Sequence, residues 1–341
     1  MAGQLWSVNS LGGYFASFNL SKELRMGVQA SVKFRQFADV KDAFGKVTRS
    51  GQTFTWDTVP MMTRGSRALQ ETNTMPQGNV TVLQGTLTMN ERGYSTPYTE
   101  LLESLAMVSV RAPLMKALKY DASVDLDCLV WQEFNKTPLR YVSTDSASTS
   151  GFSTTAFTTN STATLTNTTL ISKINVRAIV DGMKGRNIPF YDESSYYAIA
   201  RPAAFRLLKN DLESVHQYTE TGLEMIMNGE IGRYEDTRFV EATVIPTGGA
   251  ADSTTFDPFS NTGDAWNTAG CGDWVFFFGS DTVCEAVHTP EEIRAKIPDD
   301  YGRSRGIAWY ALVGYGLTHG TSGEGALGVT ESRIIKFDSA V

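Results

Sequence analysis

The sequence predicts an α+β protein built on a mixed or antiparallel sheet. Three observations carry this expectation. Segments of strand period and helix period are interspersed, without the regular β-α-β alternation of a parallel sheet. A stretch near 112–136 carries one apolar stripe long enough for a scaffold helix. Residues 46–95 read as two strands around a polar middle, with no core of their own. The 341 residues allow one large or two ordinary domains of about 100–200 residues each, and no period of about 20–50 residues repeats.

Taken in order, residues 1–45 lack a single period. Tyr14, Phe15 and Phe18 supply aromatic surface, and Lys22, Arg25, Lys33 and Arg35 supply positive charge. This composition fits an arm that lies on another surface. In residues 46–95, Gly51, Phe54, Trp56 and then Val80, Val82, Leu87 and Met89 fall at strand spacing, with polar residues 63–78 between them. An isolated two-stranded ribbon is marginal in water, so this one should pack on something outside itself. Thr96 and Pro97 then have the form of an N-cap and first helical position, with a second start at Pro113. Met115, Leu118, Ala122, Leu126, Leu129 and Phe134 follow at steps of 3, 4, 4, 3 and 5. That is one narrow stripe along a helix of about 30 Å, with Lys116, Lys119, Asp125 and Gln132 opposite.

Residues 141–170 hold seventeen Ser or Thr and one charge, Asp145. They read as an exposed loop or a polar ribbon, because little in them can be buried. A helix follows over 170–184, with Ile171, Ile174, Ala178 and Ile179 on one side. Then come a strand over 195–200, a helix opened by Pro202 with Phe205, Leu208, Leu212 and Val215 in line, and a strand over 238–245. Residues 274–278 are apolar on both faces and predict a buried central strand. Thr289-Pro-Glu-Glu292 matches a capping box with proline at N1 and predicts a short helix to Ile297. Strands over 306–317 and 333–337 complete the pattern.

Charge and chemistry narrow the function classes. Thirty Lys/Arg against 37 Asp/Glu give a net charge of −7, which argues against a dedicated nucleic-acid binder. Residues 1–70 hold nine Lys/Arg and four Asp/Glu, a net of +5, which leaves −12 on the remainder. A basic leading segment on an acidic body is the charge feature to explain. Cys128, Cys271 and Cys284 form no C-x-x-C pair, so neither a disulfide framework nor a zinc site is expected. No basic start leads into an apolar core, so no signal peptide is expected. Apolar runs such as 274–278 fall far short of the roughly 20 residues of a membrane helix.

His216, His288 and His319 are scattered, and His288 stands four residues from Cys284 without further ligands. Gly323-Glu-Gly-Ala-Leu-Gly328 fits G-x-G-x-x-G, but strand-like Val329-Thr-Glu-Ser-Arg333 follows where dinucleotide binding needs a helix. It reads as a loop between strands. Glu291 and Glu292 read as a helix start that meets the positive end of the dipole, and Asp299 and Asp300 as a turn after Pro298. No catalytic, cofactor-binding or metal residues are assigned, and no enzyme activity is expected.

Several short motifs occur in a telling order. They are Gly51-Gln-Thr-Phe-Thr-Trp56, Leu69-Gln-Glu71, Met75-Pro76, Gly85-Thr-Leu-Thr-Met89 and Gly93-Tyr94, then Asn228-Gly-Glu-Ile-Gly232 and Thr237-Arg-Phe-Val-Glu-Ala242. Phe278-Gly279, Asp300-Tyr-Gly-Arg303 and Gly306-Ile-Ala-Trp309 follow. Over about 45–340 the chain resembles the major capsid proteins of tailed bacteriophages with the Hong Kong 97-type fold, nearest the N-four-like coat protein branch. One departure is Glu71-Thr-Asn-Thr-Met-Pro76, which is longer than the family pattern and lacks its glycine.

The resemblance implies an N-terminal arm (1–45) and an extended two-stranded loop (46–95). It implies a peripheral domain (96–184 and 301–341) with a spine helix near 112–136 and a Ser/Thr-rich insertion at 141–170. An axial domain (185–300) completes it, and the final strands return to the peripheral sheet. The implied function is self-assembly as pentamers and hexamers into an icosahedral shell around double-stranded DNA, in a virion assembled in the bacterial cytoplasm. Phe54 and Trp56 are expected as apolar anchors and Arg64, Arg67 and Glu71 as ion-pair formers at the ribbon tip, all of them, with Pro76, in contacts between subunits. Cement, scaffolding and portal proteins are the expected partners. Contact with packaged DNA is expected to be weak and non-specific, no cofactor is implied, and no membrane is involved. Another structural virion or surface-layer protein, or an α+β enzyme without a visible motif, are the alternatives.

Overall fold

The computed structural model describes residues 33–42, 53–60, 62, 65–66, 68–69, 71, 74–106, 109–142, 156–158, 170–192, 194–216, 233–242, 272–319 and 331–340. A 3-10 turn, Arg35–Phe37, leads into β1 (Asp39–Asp42). The ribbon strands are β2 (Thr53–Thr58) and β3 (Leu83–Thr88), followed by β4 (Asn90–Thr99), α1 (Glu100–Leu105) and the long helix α2 (Arg111–Asn135). Short strands β5 (Arg140–Val142) and β6 (Ala156–Thr158) precede α3 (Lys173–Gly185), β7 (Tyr196–Ala200), α4 (Arg206–His216), β8 (Arg233–Tyr234) and β9 (Thr237–Glu241). Then come β10 (Gly272–Phe278), β11 (Val283–Ala295), β12 (Ser304–Leu317) and β13 (Ile334–Ala340).

Two mixed sheets organise these elements, in the orders β6-β5-β13-β10-β7-β9-β8 and β1-β11-β12-β4, with the β2-β3 ribbon separate. The run Trp274 to Phe278 occupies the centre of the larger sheet, as its two apolar faces require. Val275 and Phe277 face the core under α3 and α4. Trp274, Phe276 and Phe278 face the end of α2 and the root of the arm. The last two strands lie in different sheets. β12 pairs with β11 and β4, and β13 pairs with β10 and β5. β11, assigned by sequence to the axial part, pairs with β12. The chain therefore crosses between sheets after β10 and again after β12.

α2 is also more than a strut with one stripe. Leu118, Ala122 and Leu126 of the counted stripe pack on Ile307, Trp309 and Ala311 of β12. A second buried face, with Val130, Trp131 and Phe134, meets the larger sheet. Full burial of each such side chain stabilises by about 1.5–3 kcal/mol. The helix thus clasps both sheets, and this fixes how one stands to the other.

One expected helix is a strand, and another starts later than expected. Thr289-Pro-Glu-Glu292 lies inside β11, whose register with β12 jumps from Thr289↔Leu312 to Glu292↔Tyr310. Pro290 and Glu291 fall in that irregularity, where a missing N–H breaks no ladder bond. The long pairing with β12 overrides the local capping pattern. Pro97 lies in β4, opposite Gly306, on an outermost strand where proline is tolerated. The true N-cap is Thr99, whose hydroxyl accepts the Leu102 N–H at 3.4 Å. Similarly, α4 begins at Arg206 after a turn that contains Pro202.

Candidate assembly surfaces

The ribbon has two unlike halves. Near its base, β2 and β3 pair from Thr53↔Thr88 to Thr58↔Leu83. Phe54, Leu87 and Met89 are buried there with Cys284 and Ala286 of β11, and Trp56 and Leu312 pack against them. The Trp56 indole N–H donates to the Thr318 carbonyl at 3.1 Å. Glycines make this close seat possible. A Cβ on Gly314 of β12 would stand 2.6 Å from Leu87 Cδ1 and 2.9 Å from the Thr88 carbonyl oxygen. Gly85, opposite Trp56 in the ladder, leaves the room that the indole fills. Phe54 and Trp56, expected as contacts between subunits, pack here within their own subunit.

Beyond Thr58 and before Leu83 the ladder ends. Among the described residues there, Val59, Met62, Leu69, Met75, Val80 and Val82 are 53–70% exposed. Glu71 is exposed and Pro76 half-buried, while Arg64 and Arg67 lie outside the described residues. A run of exposed apolar side chains of this density marks an interaction surface.

The root of the arm is tied down differently. Phe34 is fully buried, edge-on to Phe134 at 5.6 Å and Phe276 at 6.0 Å. Phe37 packs on Tyr191, Tyr197 and Phe278. Asp127 of α2, itself fully buried, accepts the backbone N–H of Lys33 at 3.2 Å and of Arg35 at 2.8 Å. Burial pushes the Asp127 carboxyl up, and these N–H donors pull the other way. The Arg35 guanidinium bridges Glu285 at 2.9 Å and Glu291 at 2.8 Å. Tyr315 also donates to Glu285, at 3.0 Å. Burial works against the guanidinium's charge, but the hydrogen bond to Glu291 and the field of Glu285 hold its pKa above the ordinary value.

Glu291 is thus a strand-irregularity partner of the arm, not a helix-start carboxylate. The sequence contains no local signal for this cluster. The basic character of the arm was its only trace. The rest of the basic arm, residues 1–32, lies outside the described residues.

Further apolar side chains are exposed on β4, on α1 and at the β11–β12 turn. Tyr94, Leu101, Leu105 and Ile297 are exposed and Tyr301 is fully so. Asp299 and Asp300 form the expected turn, with Asp300 and Tyr301 at positive φ of 51° and 55°. Arg305 braces it by pairing with Glu100 at 3.1 Å and Glu103 at 2.7 Å.

Cys284, His288 and His319 have structural settings. Cys284 lies under the ribbon and donates to the Gly316 carbonyl at 3.4 Å. His288 contacts Thr289, and His319 contacts Asp281 at 2.9 Å. An open groove of about 700 Å³ runs between the ribbon base, α2 and β12, lined by Thr86, Arg92, Gln132, Glu133 and Lys136 among others. Among the described residues no group of His, Cys, Asp or Glu could hold a metal, and no helix is long and apolar enough to cross a membrane. The G-x-G-x-x-G segment 323–328, the 228–232 motif and Cys271 lie outside the described residues, as does most of 141–170 apart from β5 and β6.

No family model and no curated protein sequence matches the chain. Solved structures do match. A chain of the capsid of the cyanophage P-SCSP1u superposes with a TM-score of 0.65 at 10% identity, over 94% of this chain and 92% of that one. The acidic stable capsid of Helicobacter pylori bacteriophage KHP30 gives a TM-score of 0.66 at 13% identity, over 95% and 96%. The capsid of Ralstonia phage GP4 gives 0.61 at 12% identity, over 98% of each chain. With its clasping helix, paired sheets and projecting ribbon, the chain has the fold of these phage capsid chains, the Hong Kong 97-type fold.

Proposed function

We propose that this chain is the major capsid protein of a tailed bacteriophage. Copies assemble as hexamers and pentamers into an icosahedral shell around double-stranded DNA. The observation that carries this proposal is the divided ribbon, seated on its own subunit at the base and exposing a row of apolar side chains beyond it. The likeness to capsid chains over nearly the whole length supports it.

The four-stranded sheet with the first part of α2 forms the peripheral part, and the seven-stranded sheet with α3 and α4 the axial part. The arm before residue 33 and the outer ribbon, with Arg64, Arg67, Glu71 and Pro76, contact neighbouring copies. Curved closure uses many modest heterologous contacts. Exposed ion pairs contribute only about 0.2–1 kcal/mol each, but a shell sums them over many interfaces. Scaffolding, cement and portal proteins act on the same shell, which assembles in the host cytoplasm, and packaged DNA meets its acidic body weakly. The chain has no catalytic role.

The test is expression of the chain, size-exclusion chromatography and negative-stain microscopy of the void fraction. Closed shells are the expected result. Flat sheets or tubes would point to a surface-layer protein, and a stable monomer would overturn the proposal.

A further inference from the structure

Three links run from the ribbon base into the two places where the chain changes sheets. The first crossing, residues 279–282, leads from β10 in the larger sheet to β11 in the smaller. The second begins at Thr318, ends at Arg333 and leads from β12 back to β13. The two crossings meet at one carboxylate. Asp281, in the first, takes His319 Nε2 at 2.9 Å and Arg333 at 3.6 Å, both from the second. Arg333 also donates to the Ser280 carbonyl at 3.2 Å, and the Thr318 N–H donates to the Thr282 carbonyl at 3.0 Å. His319 is only 8% exposed, so water competes little for its contact with Asp281.

The ribbon reaches the same place. The Trp56 indole donates to the Thr318 carbonyl at 3.1 Å. That carbonyl belongs to the planar peptide that joins Thr318 to His319, so its direction sets how His319 leaves the strand. The strand end below is in close contact with the ribbon too, since a Cβ on Gly316 would stand 3.1 Å from Leu87 Cβ and 3.4 Å from Trp56 Cη2. Trp56, the Thr318–His319 peptide, Asp281 and Arg333 thus form one unbroken series. α2 is one tie between the sheets, and this series is a second, the one that includes the ribbon.

We propose that the ribbon seat and the clasp at Asp281 are one coupled device. With the Trp56 indole seated, the Thr318–His319 peptide is held where His319 meets Asp281. With the indole lifted, that peptide is released to turn and the clasp loosens. Coupling between two sites is reciprocal, so loss of the clasp equally loosens the seat. The two states are the seated and the lifted base of the ribbon, and both sites bias them. The coupling belongs to a single subunit and stands whether or not copies assemble. Where they do, a pull on the outer ribbon is felt at the junction of the two sheets without any contact between the neighbour and that junction.

The test uses the unassembled full-length chain and the thiol of Cys284, buried in the seat with Phe54 and Trp56 packed on it. Iodoacetamide reaches that thiol when the base lifts. Cys128 on α2, buried outside the seat, reports general unfolding in the same molecule, and peptide mass spectrometry reads each cysteine separately. His319→Phe keeps a ring and deletes the bond to Asp281. It should speed Cys284 labelling about tenfold, the effect of one hydrogen bond to a charged group, and leave Cys128 unchanged. His319→Gln returns a donor near the Nε2 position and should come within about twofold of the unaltered chain. Asp281→Gly takes the positive φ of 55° without strain and should give the same selective rise, which keeps the test decisive if His319→Phe folds poorly. In a Trp56→Phe chain, whose link to Thr318 is already cut, His319→Phe should add less than about twofold. No change at Cys284, an equal rise at both cysteines, or independent effects in the double variant would overturn the coupling.

Discussion

The base and the outer half of one ribbon meet opposite fates. At the base, Phe54 and Leu87 disappear under the strands of the subunit, and Trp56 is tied to the Thr318 carbonyl. A few residues further out, Val59, Met62, Val80 and Val82 are left in solvent. Composition does not explain the difference, since both halves are rich in apolar residues. What differs is the surface beneath. Gly314 and Gly316 let the base come within contact of β12, and the outer half has passed beyond the sheet. The ribbon therefore folds with its subunit up to Thr58 and Leu83, and beyond them it is exposed, as the assembly proposal requires.

Mutations at the base should act on the subunit alone. Phe54→Ala should lower the unfolding free energy of unassembled subunits by about 3–4 kcal/mol in urea titration. A loss below about 1 kcal/mol would mean the base is not truly seated. Gly314→Ala drives a methyl against Leu87 and the Thr88 carbonyl and should cost about 1–3 kcal/mol in the same titration. It should also raise protease cleavage within the ribbon. Trp56→Phe keeps most of the apolar area and deletes the indole donor, for a loss of about 0.5–1.5 kcal/mol.

The outer half should show the reverse. Val80→Ser with Val82→Ser should change subunit stability by less than about 0.5 kcal/mol, because both sites are exposed. The same pair should sharply reduce particles counted by microscopy. A stability loss as large as that of Phe54→Ala would erase the distinction between the halves.

The arm root supplies a contrasting case, because charge holds it. Glu291 sits below its ordinary carboxyl value of 4.5, chiefly through the Arg35 hydrogen bond, with burial opposing. A depressed carboxyl contributes stability that is present above pH 4.5 and lost as the pH falls through its lowered value. Glu291→Gln should therefore destabilise the subunit slightly at neutral pH, by under about 1 kcal/mol for so exposed a pair. The variant and the unaltered chain should converge as the pH falls from 4.5 through that lowered value. Asp127 has the opposite sign. Burial raises it, so its contribution is greatest at acid pH and falls as the pH rises through its raised value. Thermal unfolding across pH 3–7 should separate the two through Glu291→Gln and Asp127→Asn, whereas the apolar ribbon seat should stay indifferent to pH.

Much of the architecture was legible because period encodes burial. The alternation in the ribbon, the two-faced run at β10 and the stripe of α2 toward β12 each correspond to a buried face. Where the reading failed, a non-local term prevailed over a local one. Pro97 and Pro290 resemble helix starts in isolation, but an outermost strand and a strand irregularity accept proline equally well. The second face of α2, with Val130 and Trp131, was hidden because a single stripe was matched where the helix serves two sheets.

The arm-root cluster joins Arg35 to Glu285 and Glu291, residues about 250 positions away, and no spacing rule reaches that far. The ribbon seat had a usable sign in Gly314-Tyr-Gly316, since glycines inside a strand mark close backbone approach. The proposed contact residues Arg64, Arg67, Glu71 and Pro76 rest on the resemblance, because exposure alone gives a residue no partner.

The most direct measurement is removal of the outer ribbon. A chain lacking residues 60–78, with the Phe54–Leu87 seat intact, should be a soluble subunit of unchanged unfolding midpoint that forms no closed particles by sedimentation and microscopy. Particles of normal size and yield from that deletion would contradict the claim that the outer ribbon exists for a neighbouring copy.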